Sequence, residues 1–362
     1  MLSRRLLAKA FKDLKQLYRG FSFETTNNFK PLYKILAPSQ FSERLSKSLQ
    51  EQISSFSATL SPSVKVAKFN PTSKKDIQSQ RYLFENLLSE YPDFKKQIEE
   101  ARNSSIVLIS GLKVLTVPQD GIPTSIYRSE EAYKYSETKV AEIVAGLILE
   151  KFVEIDKNQN AFNLIYRADE DIGKNNSYAS DKEILWHNDR WESQPEGQVA
   201  LFCVNGNESV ITEIITVEQI IDYFKSNNME DLLKALQDDF IIQSSNEEYF
   251  KNTAKIIDKD QIRYAQYGSF KSKEIDKAKF SNAMTAISEL NKCLENIAPI
   301  FGKALENGDF LLIDNNRNIH RRKTADGKLP MKPRSRFVLR GNIVDERIKV
   351  LTEDAKTTLS KI

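Results

Sequence analysis

The sequence predicts an α+β fold: a distorted double-stranded β-helix barrel of jelly-roll type, with flanking helices and a helical lid insertion. Three observations carry this expectation. Short apolar segments bounded by turn residues recur between residues 105 and 346, as strands do. Stretches with apolar residues at helical spacing lie between and before them. The only two histidines, His187 and His320, each close one of the strand-like segments, so the halves of any shared site come from distant parts of the chain.

Length and composition set the frame. A chain of 362 residues suits one large domain or two small ones. With 40 % hydrophobic and 28 % charged residues, it reads as an ordinary soluble globular protein. Its 53 basic and 50 acidic residues leave a formal charge of +3, which argues against nucleic-acid binding, where a concentrated basic face is expected. No apolar run approaches the ~18 residues of a membrane span. Cys203 and Cys293 lie far apart with no metal-ligand spacing and read as buried, reduced thiols of a cytoplasmic protein.

Residues 1–21 read as a basic amphipathic helix, with Leu2, Leu6, Leu7, Phe11 and Leu14 on one side and Arg4, Arg5, Lys9 and Lys12 elsewhere. Packing on the domain is the simpler role, with organelle targeting or a membrane-surface contact left open. Residues 22–75 read as an irregular layer with one helix near Phe41–Ile53. From Lys74 to Asn103 the spacing is helical, broken at Pro92. Residues 1–104 are thus expected to form a mostly helical extension on the core, 105–346 the barrel, and 347–362 a C-terminal tail.

Within the barrel, Ser105–Ile109 and Phe162–Tyr166 are strands, and Glu130–Phe152 is a helix. The polar stretch Arg167–Lys182 is a long loop, expected as a substrate-facing flap. Val199–Val204 and Val210–Thr216 are again strand-like. From 217 to 307 the pattern turns helical over Val217–Phe224, Met229–Leu236 and Asp276–Leu305, with Phe240–Phe250 and Ile257–Phe270 extended. This insertion is expected over the barrel mouth as a lid, or beside it as a buttress.

In Leu185-Trp186-His187-Asn188-Asp189, strand alternation projects His187 and Asp189 the same way, so both can grip one ion. Asp309–Asp314 follows a Gly308-Asp309 turn and is apolar through its middle, as a buried strand should be. It delivers Asp314, Asn315, Arg317 and His320 in quick succession. His320 completes a set of two imidazoles and one carboxylate. Such a set, with other positions open, marks non-haem Fe(II) oxygenases, although Zn2+ accepts the same donors. Arg336 and Arg340, four apart on a strand-like segment, face one side. Buried like charges need anionic partners, which a dicarboxylic acid and a second acidic substrate would supply. Trp186 and Trp191 flank the motif and either line a pocket or belong to the core.

His187-Asn188-Asp189, then Gly308-Asp309 through Asp314-Asn315 to His320, then Arg336 and Arg340, resemble the Fe(II)/2-oxoglutarate dioxygenases of the clavaminate synthase-like group, in the taurine dioxygenase superfamily. The likeness extends through Ser110-Gly111-Leu112, Gly121-Ile122-Pro123-Thr124, Ser136-Glu137 and Val199–Val204 to Thr212, and so covers roughly residues 105 to 346. The resemblance implies Fe(II), 2-oxoglutarate and O2 as cofactors, with His187, Asp189 and His320 as metal ligands. It implies Arg336, with Arg334 as the alternative, and Thr212 as contacts for 2-oxoglutarate. Arg340 would hold the substrate's acidic group. The implied reaction hydroxylates an unactivated carbon of an amino acid or similar small acid.

Related halogenases replace the metal carboxylate by a small residue, so Asp189 favours hydroxylation or desaturation. Some residues depart from the family pattern. Many relatives carry Glu where Asp189 stands, and Gly-Arg where Arg321-Arg322 follows His320. Ile262–Tyr267 carries no acid where the group's arginine hydroxylases bind a guanidinium, so arginine is not the expected substrate. Two other classes stay open: a non-catalytic barrel serving as a binding or regulatory module, and a zinc hydrolase. The expected partner is a small molecule, neither nucleic acid nor membrane, with a homo-oligomer left open.

Overall fold

The computed structural model describes residues 31–48, 85–112, 144, 145, 148, 162–166, 183–189, 191, 197–243, 251–272, 277–324 and 337–343. The strands run in order β1 (Leu32–Leu36), β2 (Ile106–Ser110), β3 (Phe162–Tyr166), β4 (Ile184–His187), β5 (Gln198–Asn205) and β6 (Val210–Thr216). Then come β7 (Asp239–Gln243), β8 (Lys251–Lys255), β9 (Ile257–Asp258), β10 (Gln261–Ile262) and β11 (Ser269–Ser272). The last are β12 (Phe301–Ala304), β13 (Phe310–Asp314), β14 (Asn318–Thr324) and β15 (Phe337–Ile343). Helices α1 (Pro92–Ala101), α2 (Val217–Ser226), α3 (Glu230–Ala235) and α4 (Lys277–Asn296) accompany them.

Two sheets frame the molecule, one ordered β1-β2-β13-β5-β15-β3 and the other β12-β6-β14-β4. They share a core. Ile106 and Leu108 of β2, Val199 and Cys203 of β5, Leu311 and Ile313 of β13, and Val338 of β15 meet Ile214 of β6 and Phe301 of β12. A strand sends successive side chains to opposite faces, so Ile215, next to Ile214, faces outward. With Trp186 and Ile319 it enters a second core, shared with Ile220 and Phe224 of α2 and with Leu290 and Leu294 of α4. Strand β13 lies between β2 and β5, and Phe310–Ile313 are all buried, which is why its sequence is a continuous apolar run.

The expected strands at 105–109, 162–166, 199–204, 210–216 and 309–314 appear as β2, β3, β5, β6 and β13, within a residue or two of the expected limits. Other elements differ. Leu32–Leu36, read as part of an irregular layer, is a strand that pairs in parallel with β2 from Leu32 opposite Ile106 to Leu36 opposite Ser110. It lies between Pro31 and Pro38, and Pro31 contributes only its carbonyl, which accepts from Ile106 N at 2.9 Å. The helical stretch is broken at Pro92 as expected: residues 85–89 are helical, and Pro92 opens the separate helix α1, whose first turn needs no N–H there.

The helix expected over Asp276–Leu305 stops at Asn296, and Phe301–Ala304 instead pairs with β6. Pro299 cannot donate to a helical ladder and forces its predecessor toward extended geometry. The insertion is only partly helical, since β7, β8 and β11 form a three-stranded sheet and β9 and β10 a short hairpin. Its apolar side covers the outer face of the β12-β6-β14-β4 sheet. It therefore buttresses that sheet, and its segment from Tyr264 to Gly268 reaches the end of β4, where Ala265 bridges to His187.

One turn depends on glycine. Gly308 sits at φ +84, and a Cβ there would lie 1.8 Å from the Leu112 carbonyl oxygen. No helix among the described residues is long and apolar enough to cross a membrane. The expected helix at 1–21, the Gly121–Thr124 loop, Ser136-Glu137, the 167–182 flap and the 347–362 tail lie outside the described residues. Of the helix expected over Glu130–Phe152, Val144, Ala145 and Ile148 are described and buried.

Candidate metal centre

Strands β4 and β14 pair antiparallel with His187 directly opposite His320. Directly opposed residues share a face of the sheet. The two ring centroids accordingly lie 4.5 Å apart. His187 Nδ1 is 2.8 Å from the Leu185 carbonyl oxygen. A carbonyl only accepts, so Nδ1 carries a proton there and Nε2 is the nitrogen turned to the site.

Asp189 Oδ1 lies 3.5 Å from His187 Nε2 and 3.8 Å from His320 Nε2. One ligand atom from each of the three residues falls within 4.8 Å of the others, so the set converges on the space of a single ion. All three residues are buried. Burial, followed by the neighbouring His187, pushes the His320 pKa down to about 3, against the opposing pull of Asp189. His320 is therefore a neutral donor near pH 7. Burial would raise the Asp189 carboxyl, but the Arg340 guanidinium beside it, with His187 and His320, holds it well below the usual range. Two imidazole nitrogens and one carboxylate oxygen suit a first-row divalent ion.

The alternation expected for His187-Asn188-Asp189 does not hold, because β4 ends at His187 and Asp189 lies in the turn that follows. Hydrogen bonds place the carboxylate instead of the pleat. Asp189 N donates to Asn315 Oδ1 at 3.0 Å, and Asn315 Nδ2 donates to Asp189 O at 3.0 Å. Asn188, fully buried between the two candidate ligands, donates through Nδ2 to the carbonyls of Asn315 at 2.6 Å and Asn318 at 2.7 Å. Its Oδ1 accepts from Tyr264 N at 2.8 Å, and its own N–H donates to Tyr264 O at 2.8 Å.

Arg340 extends from β15 in the facing sheet and forms an ion pair with Asp189 Oδ2. Thr212 is buried on β6, in register with Arg322 of β14 and two pairs along from Ile214 and His320. Since Ile214 faces the core between the sheets, Thr212, His320 and Arg322 share that face. Arg322 is 8 % exposed, a buried cation two residues past a candidate ligand. Arg334 and Arg336 lie outside the described residues. Trp186 and Trp191 both belong to the outer core, which decides between their two readings. The Arg321 guanidinium stands 4.4 Å over Trp186 and pairs with Glu213 and Glu295, so the Arg321-Arg322 departure ties α4 to the sheet.

The structure thus brings His187, Asp189, His320 and Arg340 together and sets Thr212 on the same inner face. Sequence reasoning missed Asn188, the supporting contacts of Asn315, and Arg322. Arg322 was open to the alternation argument, since it lies two residues from His320 on one strand. Nothing in an Asn-rich turn shows which backbone groups its carboxamides will meet.

No family model and no curated protein matches the chain. Solved structures do. An asparagine oxygenase in complex with Fe(II), (2S,3S)-3-hydroxyasparagine and succinate superposes with a TM-score of 0.59 at 13 % identity, over 86 % of this chain and 93 % of that one. The non-haem iron oxygenase OrfP, in complex with Fe and α-ketoglutaric acid, gives 0.59 at 14 % identity, over 87 % and 94 %. OrfP with Fe and L-Arg gives 0.56 at 14 % identity, over the same shares. At these identities the likeness establishes a shared fold.

Proposed function

We propose that this chain is a non-haem Fe(II)/2-oxoglutarate-dependent dioxygenase that hydroxylates an unactivated carbon of an amino acid or similar small acid. The observation that carries the reading is the convergence of both imidazole Nε2 atoms on one Asp189 oxygen. The two shared-core sheets and the fold of the matching oxygenases support the finer description of a double-stranded β-helix. Those oxygenases form complexes with iron, with succinate or α-ketoglutaric acid, and with amino acids or their hydroxylated products.

Bound iron, with 2-oxoglutarate and O2, would supply the oxidising power for the attack on carbon, with decarboxylation of the cosubstrate to succinate. The chain's own residues bind and orient. His187 and His320 would donate their imidazole nitrogens, held by the β4–β14 pairing and by the Leu185 carbonyl. Asp189 would complete a three-residue set that leaves positions open for small molecules. Arg336, or Arg334 in its place, would pair with the far carboxylate of 2-oxoglutarate, and Thr212 would add a hydroxyl bond to it. Arg340 would hold the substrate's acidic group while staying beside Asp189, so a bound anion shares its guanidinium with the metal carboxylate. A small-molecule substrate and a cytoplasmic location complete the reading.

The test is succinate release from 2-oxoglutarate by the iron-loaded protein across a panel of free amino acids. Turnover stimulated by one of them, and lost in Asp189→Ala, supports the proposal. Wild-type protein that binds iron yet releases no succinate with any small acid contradicts it. Arg336→Ala should raise the 2-oxoglutarate requirement while leaving iron bound. The same result in Arg334→Ala alone would transfer the role.

A further inference from the structure

Asp189 has no strand to hold it, yet its carboxylate oxygen lies where both histidine nitrogens point. We infer that the Asn315 and Asn188 carboxamides are positioning residues that preform the metal site by clasping its two halves before any ion arrives. The inference rests on the metal-centre reading of His187, Asp189 and His320.

The geometry is reciprocal. Asn315, at the end of β13, meets Asp189 on both its backbone groups, accepting from the N–H and donating to the carbonyl, each at 3.0 Å. Asn188 donates back to the carbonyls of residues 315 and 318, at 2.6 and 2.7 Å. Partners 126 residues apart are thereby joined by bonds that flank the carboxylate on both sides. Both asparagines are fully buried, so water cannot substitute for a lost bond without opening the site. The same Asn188 fixes the Tyr264 backbone through two further bonds, which locks the insertion's segment beside His187. A residue gripped at both its N–H and its C=O has little freedom left, so the Asp189 side chain starts from one place. Supporting residues of this kind typically govern metal affinity by 10–100-fold.

Asn318 supplies a control within the same turn. Its side chain is equally buried and donates to the Asp314 carbonyl at 2.7 Å and that of Ser105 at 3.3 Å, but none of its hydrogen bonds reaches Asp189. Asn315→Ala and Asn318→Ala should both lower thermal stability. Only Asn315→Ala should weaken Co(II) binding, by tenfold or more, and alter the visible spectrum of bound Co(II). Asn318→Ala should keep the spectrum and stay within about threefold of wild type.

Equal Co(II) affinity and spectrum in wild type and Asn315→Ala would overturn the inference alone. Failure of the wild type to take up Co(II) would overturn the metal reading and the inference together. Should Asn315→Ala not fold, amide hydrogen exchange on the metal-free wild type decides. The Asp189 N–H is expected to be protected like a strand amide, and exchange at the rate of an open turn overturns the preformed site.

Discussion

Gly308→Ala should destabilise this protein severely, although the residue touches neither a ligand nor the candidate metal site. An alanine at φ +84 carries the left-handed penalty of about 1–2 kcal/mol. Its Cβ would also lie 1.8 Å from the Leu112 carbonyl oxygen, a backbone atom that cannot rotate away. Relief requires moving the turn, which strains the Gly308 N–H bond to Cys203 O at 2.8 Å and the Leu112 N–H bond to Gly308 O at 3.1 Å. Each is worth about 1 kcal/mol, so the total approaches 3–4 kcal/mol, a large share of an ordinary 5–15 kcal/mol stability. Both tryptophans, Trp186 and Trp191, lie in the outer core, so their fluorescence reports unfolding in urea. At about 3 kcal/mol per molar urea, the midpoint should fall by roughly 1 M. A shift below about 0.3 M with an unchanged slope would refute the argument.

Two further outcomes follow from burial and charge. Arg340→Gln removes one partner of the largely buried pair with Asp189, which costs roughly 3 kcal/mol or somewhat less after discounting for its partial exposure. Saturating Co(II) should recover most of that loss, because the ion replaces the missing positive charge. Melting temperatures with and without Co(II) check this, and an equal deficit in both states contradicts it. Burial, reinforced by Glu289, pushes the Cys293 thiol up to about 12. Its reactive thiolate is therefore scarce at pH 8, and iodoacetamide should label Cys293 only as fast as the fold opens. Labelling of native protein at the rate of a free thiol would show the site to be open.

The legible parts of the fold were those whose burial writes a simple pattern. Strands β2, β5, β6 and β13 are apolar runs because the core covers them, and such runs read directly from sequence. Strand β1 was missed because it is short and framed by prolines, and its pairing partner lies more than sixty residues away. Strand β12 was absorbed into a helix because Phe301 and Leu305 continue the spacing of α4, while Pro299 carries the stop. The candidate metal residues could be picked out because imidazoles are scarce in this chain. Their support could not: Asp189 was assigned to a pleat, whereas two carboxamides from distant segments hold its backbone. Side-chain bonds to particular peptide groups depend on tertiary placement and leave no period in the sequence.

Anaerobic titration with Fe(II) and then 2-oxoglutarate tests the central claim most directly. Chelation of the cosubstrate through its 2-keto acid end gives a weak visible charge-transfer band. Wild-type protein should show that band at one equivalent of iron, and His320→Ala, folded but short of one neutral nitrogen donor, should not. Iron bound by the wild type with no band on adding 2-oxoglutarate would contradict the dioxygenase account and leave a metal site of another chemistry.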